Sequence, residues 1–128
     1  EGAVGLLQDA ITLDPDSAKF HGALASLLEK LPSRREEAEQ HFIRATELDP
    51  ENVFYHLQLG GFYRGVGLLS RAEQQFLLAL KIDPTDQAAT LALDEISGMK
   101  KAAPPSYNRP VSVHKPNFWT RIFGRRNR

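Results

Sequence analysis

His21 and His56 have the most chemical potential in this chain, and they stand 35 residues apart. A histidine can move a proton near neutral pH or ligate a metal. Either task needs partners: a nucleophile and an orienting carboxylate for group transfer, further donors for a metal. Neither histidine has such partners in a shared pattern, and a pair at this spacing is what a sequence repeat generates by itself. Both therefore read as packing residues. His41 lies among Glu37, Glu39 and Arg44 and reads as solvated. Gly60, Gly61, Gly65 and Gly67 do not form a phosphate loop, because no Lys-Ser/Thr follows at the required spacing. They read as helix packing and a turn. Glu36, Glu37 and Glu39 follow Arg34-Arg35, where acid suits the positive end of a helix, and they read as a solvated helix start. No Ser/His/Asp or Cys/His constellation is present, so the sequence calls for no catalytic residue, no cofactor and no metal.

The histidine spacing belongs to a larger period. Leu13-Asp14-Pro15, Leu48-Asp49-Pro50 and Ile82-Asp83-Pro84 recur, with the prolines 35 and 34 residues apart. Upstream of each proline, by 12, 8 and 5 residues, stand Ala3, Leu7 and Ala10, then Ala38, Phe42 and Ala45, then Ala72, Phe76 and Ala79. Positions i, i+4 and i+7 share one helix face. Small residues there let a neighbouring helix approach, the large one fills the remaining space, and the proline ends the helix. A second helix precedes this one in each full unit, with Leu57, Leu59, Gly60, Phe62 and Tyr63 after Asn52. Ser17, Asn52 and Asp86 are the expected N-caps. The additional residue of the earlier unit falls around Leu31-Pro32-Ser33. The pattern predicts helices near 2–13, 17–30, 36–48, 52–65, 69–82 and 86–100, with no strand pairing among them.

A period near 34 residues with this frame resembles the tetratricopeptide repeat (TPR). Leu59, Gly60, Tyr63, Gly67, Ala72, Phe76, Ala79 and Pro84 match the family's pattern, as do Leu24, Ala25, Leu28, Ala38, Phe42, Ala45 and Pro50 in the unit before. His56 departs from it, standing where the family often has Trp. The resemblance covers residues 1 to 100 and implies an all-α fold of antiparallel helix–turn–helix repeats stacked as an α-solenoid. The expected organisation is 1–15, the second helix of a truncated repeat; 16–50 and 51–84, two repeats; 85–100, a capping helix; 101–116, a Pro-rich linker; and 117–128, a basic-aromatic tail. On this reading residue 1 is not a natural start. The first helix (Ala3, Val4, Leu6, Leu7, Ala10, Ile11) should then expose an apolar face where a predecessor would stack, and Ala89, Leu91, Leu93 and Ile96 supply the apolar positions of the cap.

In that family the first helices of the repeats line a concave face that binds peptides. The corresponding slots are Lys19, Gly22, Ser26 and Glu29 in one unit, then Phe54, Leu57, Gly61 and Arg64 in the next. The family's clamp for chaperone C-terminal carboxylates needs Lys and Asn in such slots. Here they are mostly small and apolar, which better suits an apolar or helical segment of a protein partner.

The net charge of zero hides a division. Residues 1–100 carry nine Lys/Arg against sixteen Asp/Glu, a net of −7, and residues 101–128 carry seven Lys/Arg and no acid, a net of +7. Phe118, Trp119, Ile122 and Phe123 fall at i, i+1, i+4 and i+5, an arc of about 140° on a helix. With Arg121, Arg125 and Arg126 around them, they read first as a docking segment for a protein. The next reading is an amphipathic anchor on an anionic membrane, and nucleic acid is the weakest of the three. No stretch approaches the ~18 apolar residues of a membrane span. The absence of cysteine excludes disulfides and says little about compartment; cytoplasmic or membrane-peripheral placement is the open expectation. The function expected is a non-catalytic scaffold that holds or assembles a protein complex, with a peripheral membrane adaptor as the competing class.

Overall fold

The computed structural model describes residues 2–102, and every regular element among them is helical. Residues 103–128, which hold the tail cluster and most of the expected linker, lie outside the described residues. The chain divides into two units, one ending at Leu48 and the other starting at Asp49. Unit 1 contains α1 (Gly2–Leu13), α2 (Ala18–Leu28), a 3-10 turn (Pro32–Arg34) and α3 (Arg35–Leu48). Unit 2 contains α4 (Val53–Gly65), α5 (Leu69–Ile82) and α6 (Gln87–Ala102). Each helix starts and ends within two residues of its expected bounds. Lys101 and Ala102, expected to begin the linker, still belong to α6, since nothing before Pro104 breaks a helix.

The three Asp-Pro phrases make the same turn. The amides of Ser17, Asn52 and Asp86 reach back to the carbonyls of Asp14, Asp49 and Asp83 at 3.4, 3.1 and 3.1 Å. Proline at the second position pre-sets this turn. Its last residue then caps the next helix. Ser17 Oγ accepts from Phe20 N at 3.2 Å, Asn52 Oδ1 from Phe54 N at 3.0 Å, and Asp86 Oδ2 from Ala89 N at 2.9 Å. In the third phrase the exposed Asp83 carboxylate accepts from Thr85 Oγ1 at 2.7 Å, which lowers its pKa.

Between α2 and α3 the extra residue is absorbed by the 3-10 turn at Pro32. Unit 2 makes the corresponding corner with glycine. Gly67 has φ 84°, Leu68 N bonds Tyr63 O at 2.9 Å and Gly67 N bonds Arg64 O at 3.1 Å. This double closure satisfies the last carbonyls of α4 and needs a left-handed residue. Gly67→Ala is therefore expected to cost about 1–2 kcal/mol in a urea melt, with Gly67→Asn milder.

The core of each hairpin is the Ala–Phe–Ala face. Ala38, Phe42 and Ala45 are buried in unit 1, and Ala72, Phe76 and Ala79 in unit 2. Leu24, Ala25 and Leu28 of α2 face the first set, packing α2 on α3. Leu59, Phe62 and Tyr63 of α4 are buried with the second. On α1 only Val4 is buried, and Leu6 and Leu13 are 72% and 87% exposed. The cap departs from expectation. α6 buries Ala89, Ala92 and Ile96, whereas Leu91 is 63% exposed. Positions i, i+3 and i+7 form the stripe that packs on α5, and Leu91 lies outside it. Surface pairs fasten α6 to its neighbours: Lys100 to Glu73 of α5 at 2.7 Å and Arg64 of α4 to Glu95 at 2.6 Å. Such exposed pairs orient helices more than they stabilise them.

Candidate functional site

The histidines are built into the turns. His21 Nε2 lies 2.8 Å from the Pro15 carbonyl and His56 Nε2 2.9 Å from the Pro50 carbonyl. A carbonyl can only accept, so both rings donate from Nε2. Each histidine thus ties the start of one helix to the turn before it, and both are buried. In the third copy of the frame the slot holds Thr90, whose hydroxyl donates instead to the carbonyl of Asp86, the cap of its own helix, at 3.0 Å.

The second ring nitrogen faces the neighbouring helix. His56 Nδ1 lies 3.0 Å from Gln75 Oε1, and His21 Nδ1 lies 2.9 Å from His41 Nδ1, the rings stacked with centroids 5.1 Å apart. Gln75 precedes Phe76 and His41 precedes Phe42, so the two contacts are register equivalents. His41, expected in solvent, is half-buried and bonded. Its pKa is lowered, first by burial, then by the charges of His21 and Arg34, which outweigh Glu37. Glu37 is engaged by Arg34, with contacts of 2.9 and 3.1 Å. Glu39, expected on a solvated face, is buried. Helical rotation separates it from Glu36, which stays exposed.

Among the expected partner-binding residues, the structure distributes two sets. On α2, Lys19 is exposed, Gly22 is buried, and Ser26 is half-buried with its hydroxyl on the Gly22 carbonyl at 3.1 Å. Glu29 ends that helix half-buried, and desolvation raises its pKa against the pull of Lys30 and Arg35. On α4, Phe54 is 57% exposed, Leu57 and Gly61 are half-exposed, and a Cβ added at Gly61 would meet open space. Arg64 closes that row, and its guanidinium carbon sits 5.8 Å from the centre of the Phe76 ring. Sequence reasoning missed the residue by which α6 pairs with the α4 row: Glu95, bonded to Arg64. Its offset from Arg64 is 31 residues, shorter than the repeat, so periodicity could not point to it.

No group of three or more His, Asp or Glu residues among the described residues could hold a metal ion. No described helix is long and apolar enough to cross a membrane.

No protein-family model matches this chain, and no curated protein matches it. Solved structures do. The first TPR of Spaghetti (RPAP3), bound to the HSP90 peptide SRMEEVD, is 19% identical with a TM-score of 0.69 over 77% of each chain. The Arabidopsis OM64 TPR domain is 24% identical with a TM-score of 0.67, over 75% of this chain and 78% of that one. The second TPR domain of human RPAP3, in complex with the HSP70 peptide SGPTIEEVD, is 24% identical with a TM-score of 0.66, over 73% and 78%. The likeness lies in the fold, at low sequence identity.

Proposed function

We propose that this chain, which has the tetratricopeptide-repeat fold, is a non-catalytic module that binds protein partners and holds them in a complex. The observation that carries the reading is the apolar row on α4, where Phe54 is left 57% exposed beside Leu57 and the open Gly61. Lys19, Gly22 and Ser26 offer a second, smaller row on α2. Two of the similar structures hold chaperone peptides that end in acidic residues. The α4 row here has one cation, Arg64, already paired with Glu95. That chemistry favours an apolar or helical segment over an acidic C-terminus.

The tail supplies the second contact. Phe118, Trp119, Ile122 and Phe123 concentrate four large apolar groups in six residues. Each forgoes about 1.5–3 kcal/mol while it stays in water. Arg121, Arg125 and Arg126 would steer the segment toward acidic groups more than add affinity. The same cluster supports the competing reading, an anchor on an anionic membrane.

The test is partner capture by the full chain, with anionic liposomes run in parallel. Phe54→Asp is expected to weaken capture about tenfold or more, the loss typical of a central interface residue, with an unchanged melting curve. Trp119→Ala should weaken it strongly, and Arg126→Ala should alter mainly its salt dependence. Retained capture with lost liposome binding in Trp119→Ala would establish the membrane reading. Capture indifferent to Phe54→Asp would remove the α4 row from the site, and tight binding of the peptide SRMEEVD would replace the apolar ligand with an acidic one.

A further inference from the structure

The two hairpins hold the same histidine in different company. His21 and His56 each spend Nε2 on a prolyl carbonyl, which leaves only Nδ1 for the neighbouring helix. Opposite His56 is an amide, Gln75, which can present its oxygen or, turned over, its nitrogen. That partner satisfies the ring with or without a second proton. Opposite His21 is another imidazole, and the 2.9 Å axis between the two Nδ1 atoms holds one proton only. In the neutral pair His41 must donate from Nδ1 and keep Nε2 bare. One added proton puts a charge on a half-buried pair, and a second leaves two N–H groups pointing at each other.

The surroundings of the pair do not absorb that charge. From α2 the facing group is His21 itself, from the 3-10 turn it is Arg34, and from α3 it is Glu37. Glu37 is the only counter-charge of the three, and Arg34 already holds it with two hydrogen bonds. One turn further along α3, Arg44 is occupied by Asp16 and Glu47.

We propose that the His21–His41 pair is a proton-sensitive latch that clasps α2 to α3 at neutral pH and loosens unit 1 as the medium acidifies. The direction follows from linkage. The His41 pKa in the folded chain is lowered below its ordinary 6.5, so the unfolded chain takes up the proton more readily. The stability contributed by the pair is therefore complete above 6.5 and is lost as pH falls through that value toward the folded pKa. Unit 2 has no equivalent, because Gln75 does not titrate. The latch would regulate the α2 row of Lys19, Gly22 and Ser26, a consequence that rests on reading that row as partner-binding; the latch itself does not.

Hydrogen–deuterium exchange on the full chain between about pH 7.5 and 5.5 tests it, corrected for intrinsic exchange. Protection across α2 and α3 is expected to fall by up to about tenfold per pH unit, the limit for one linked proton, while α4 and α5 hold theirs. His41→Gln, which copies unit 2, should abolish the slope. Gln75→His should install a slope in α4 and α5, and this test stands even if His41→Gln folds poorly. Parallel loss in both hairpins of the unaltered chain, a slope that survives His41→Gln, or a flat response in Gln75→His would each overturn the latch. If exchange behaves as expected but partner capture through α2 ignores pH, the latch stands and the binding role of that row falls.

Discussion

Truncating Phe76 to alanine is expected to cost about 3–5 kcal/mol, which approaches the whole stability of a short helical array. The ring is 3% exposed and lies between Ala72 and Ala79 on the buried face of α5, with Gly60 of α4 against its far edge. The small residues that admit the ring, Gly60, Ala72 and Ala79, cannot expand into the space it would leave. Phe42, 2% exposed between Ala38 and Ala45, should cost as much in unit 1. Urea melts followed by circular dichroism measure both. A Phe76→Ala curve that overlays that of the unaltered chain would refute the assignment of the core.

Gly60→Val is expected to be the next largest loss, about 2–3 kcal/mol, and for the opposite reason. A Cβ added at Gly60 would stand 2.8, 2.9 and 3.0 Å from three carbons of the Phe76 ring. Real Cβ atoms do not approach so closely, and a rigid ring packed on its other sides has nowhere to retreat. Gly60→Ala sets the same clash against the gain of about 1 kcal/mol that alanine brings to a helix interior, so its net loss should be smaller. The diagnostic is a double-mutant cycle. In a Phe76→Leu background, where the ring edge is gone, Gly60→Ala should turn neutral or stabilising, with a coupling of about 1–3 kcal/mol. Additive losses would mean that Gly60 serves some other purpose than admitting the ring.

These two residues also show how far a reading of the chain alone could go. Phe76 and Gly60 both fall in the repeat frame, and Gly67 marks the turn that its φ of 84° confirms. Ser17, Asn52 and Asp86 were legible as caps because a short polar side chain before a periodic apolar run has a local job to do. Of the candidate site, the α4 row was legible as a set of positions one face apart, and Phe54 does stand exposed there. Its depth in contacts was not. Arg64 reads as free to meet a ligand, yet α6 brings Glu95 to within 2.6 Å of it. Leu91 reads as one of the cap's apolar positions and is on the surface, while Ala92 beside it is buried. His41 reads as solvated and is bonded to His21.

The sequence by itself determined, to within two residues, where each helix begins and ends, which residues cap its start and, in the two repeat hairpins, which face is apolar. Those properties depend on backbone geometry within a few residues: proline excludes the helical region before it, polar caps satisfy free amides, and a period of 3.6 places i, i+4 and i+7 together. The tertiary structure alone decided which side chains meet across helices. Lateral pairing depends on the axial offset between packed helices, and the 31-residue offset that joins Arg64 to Glu95 differs from the 34-residue period the chain displays. That offset is fixed by the fit of large and small residues over whole interfaces, and no single stretch of sequence carries it.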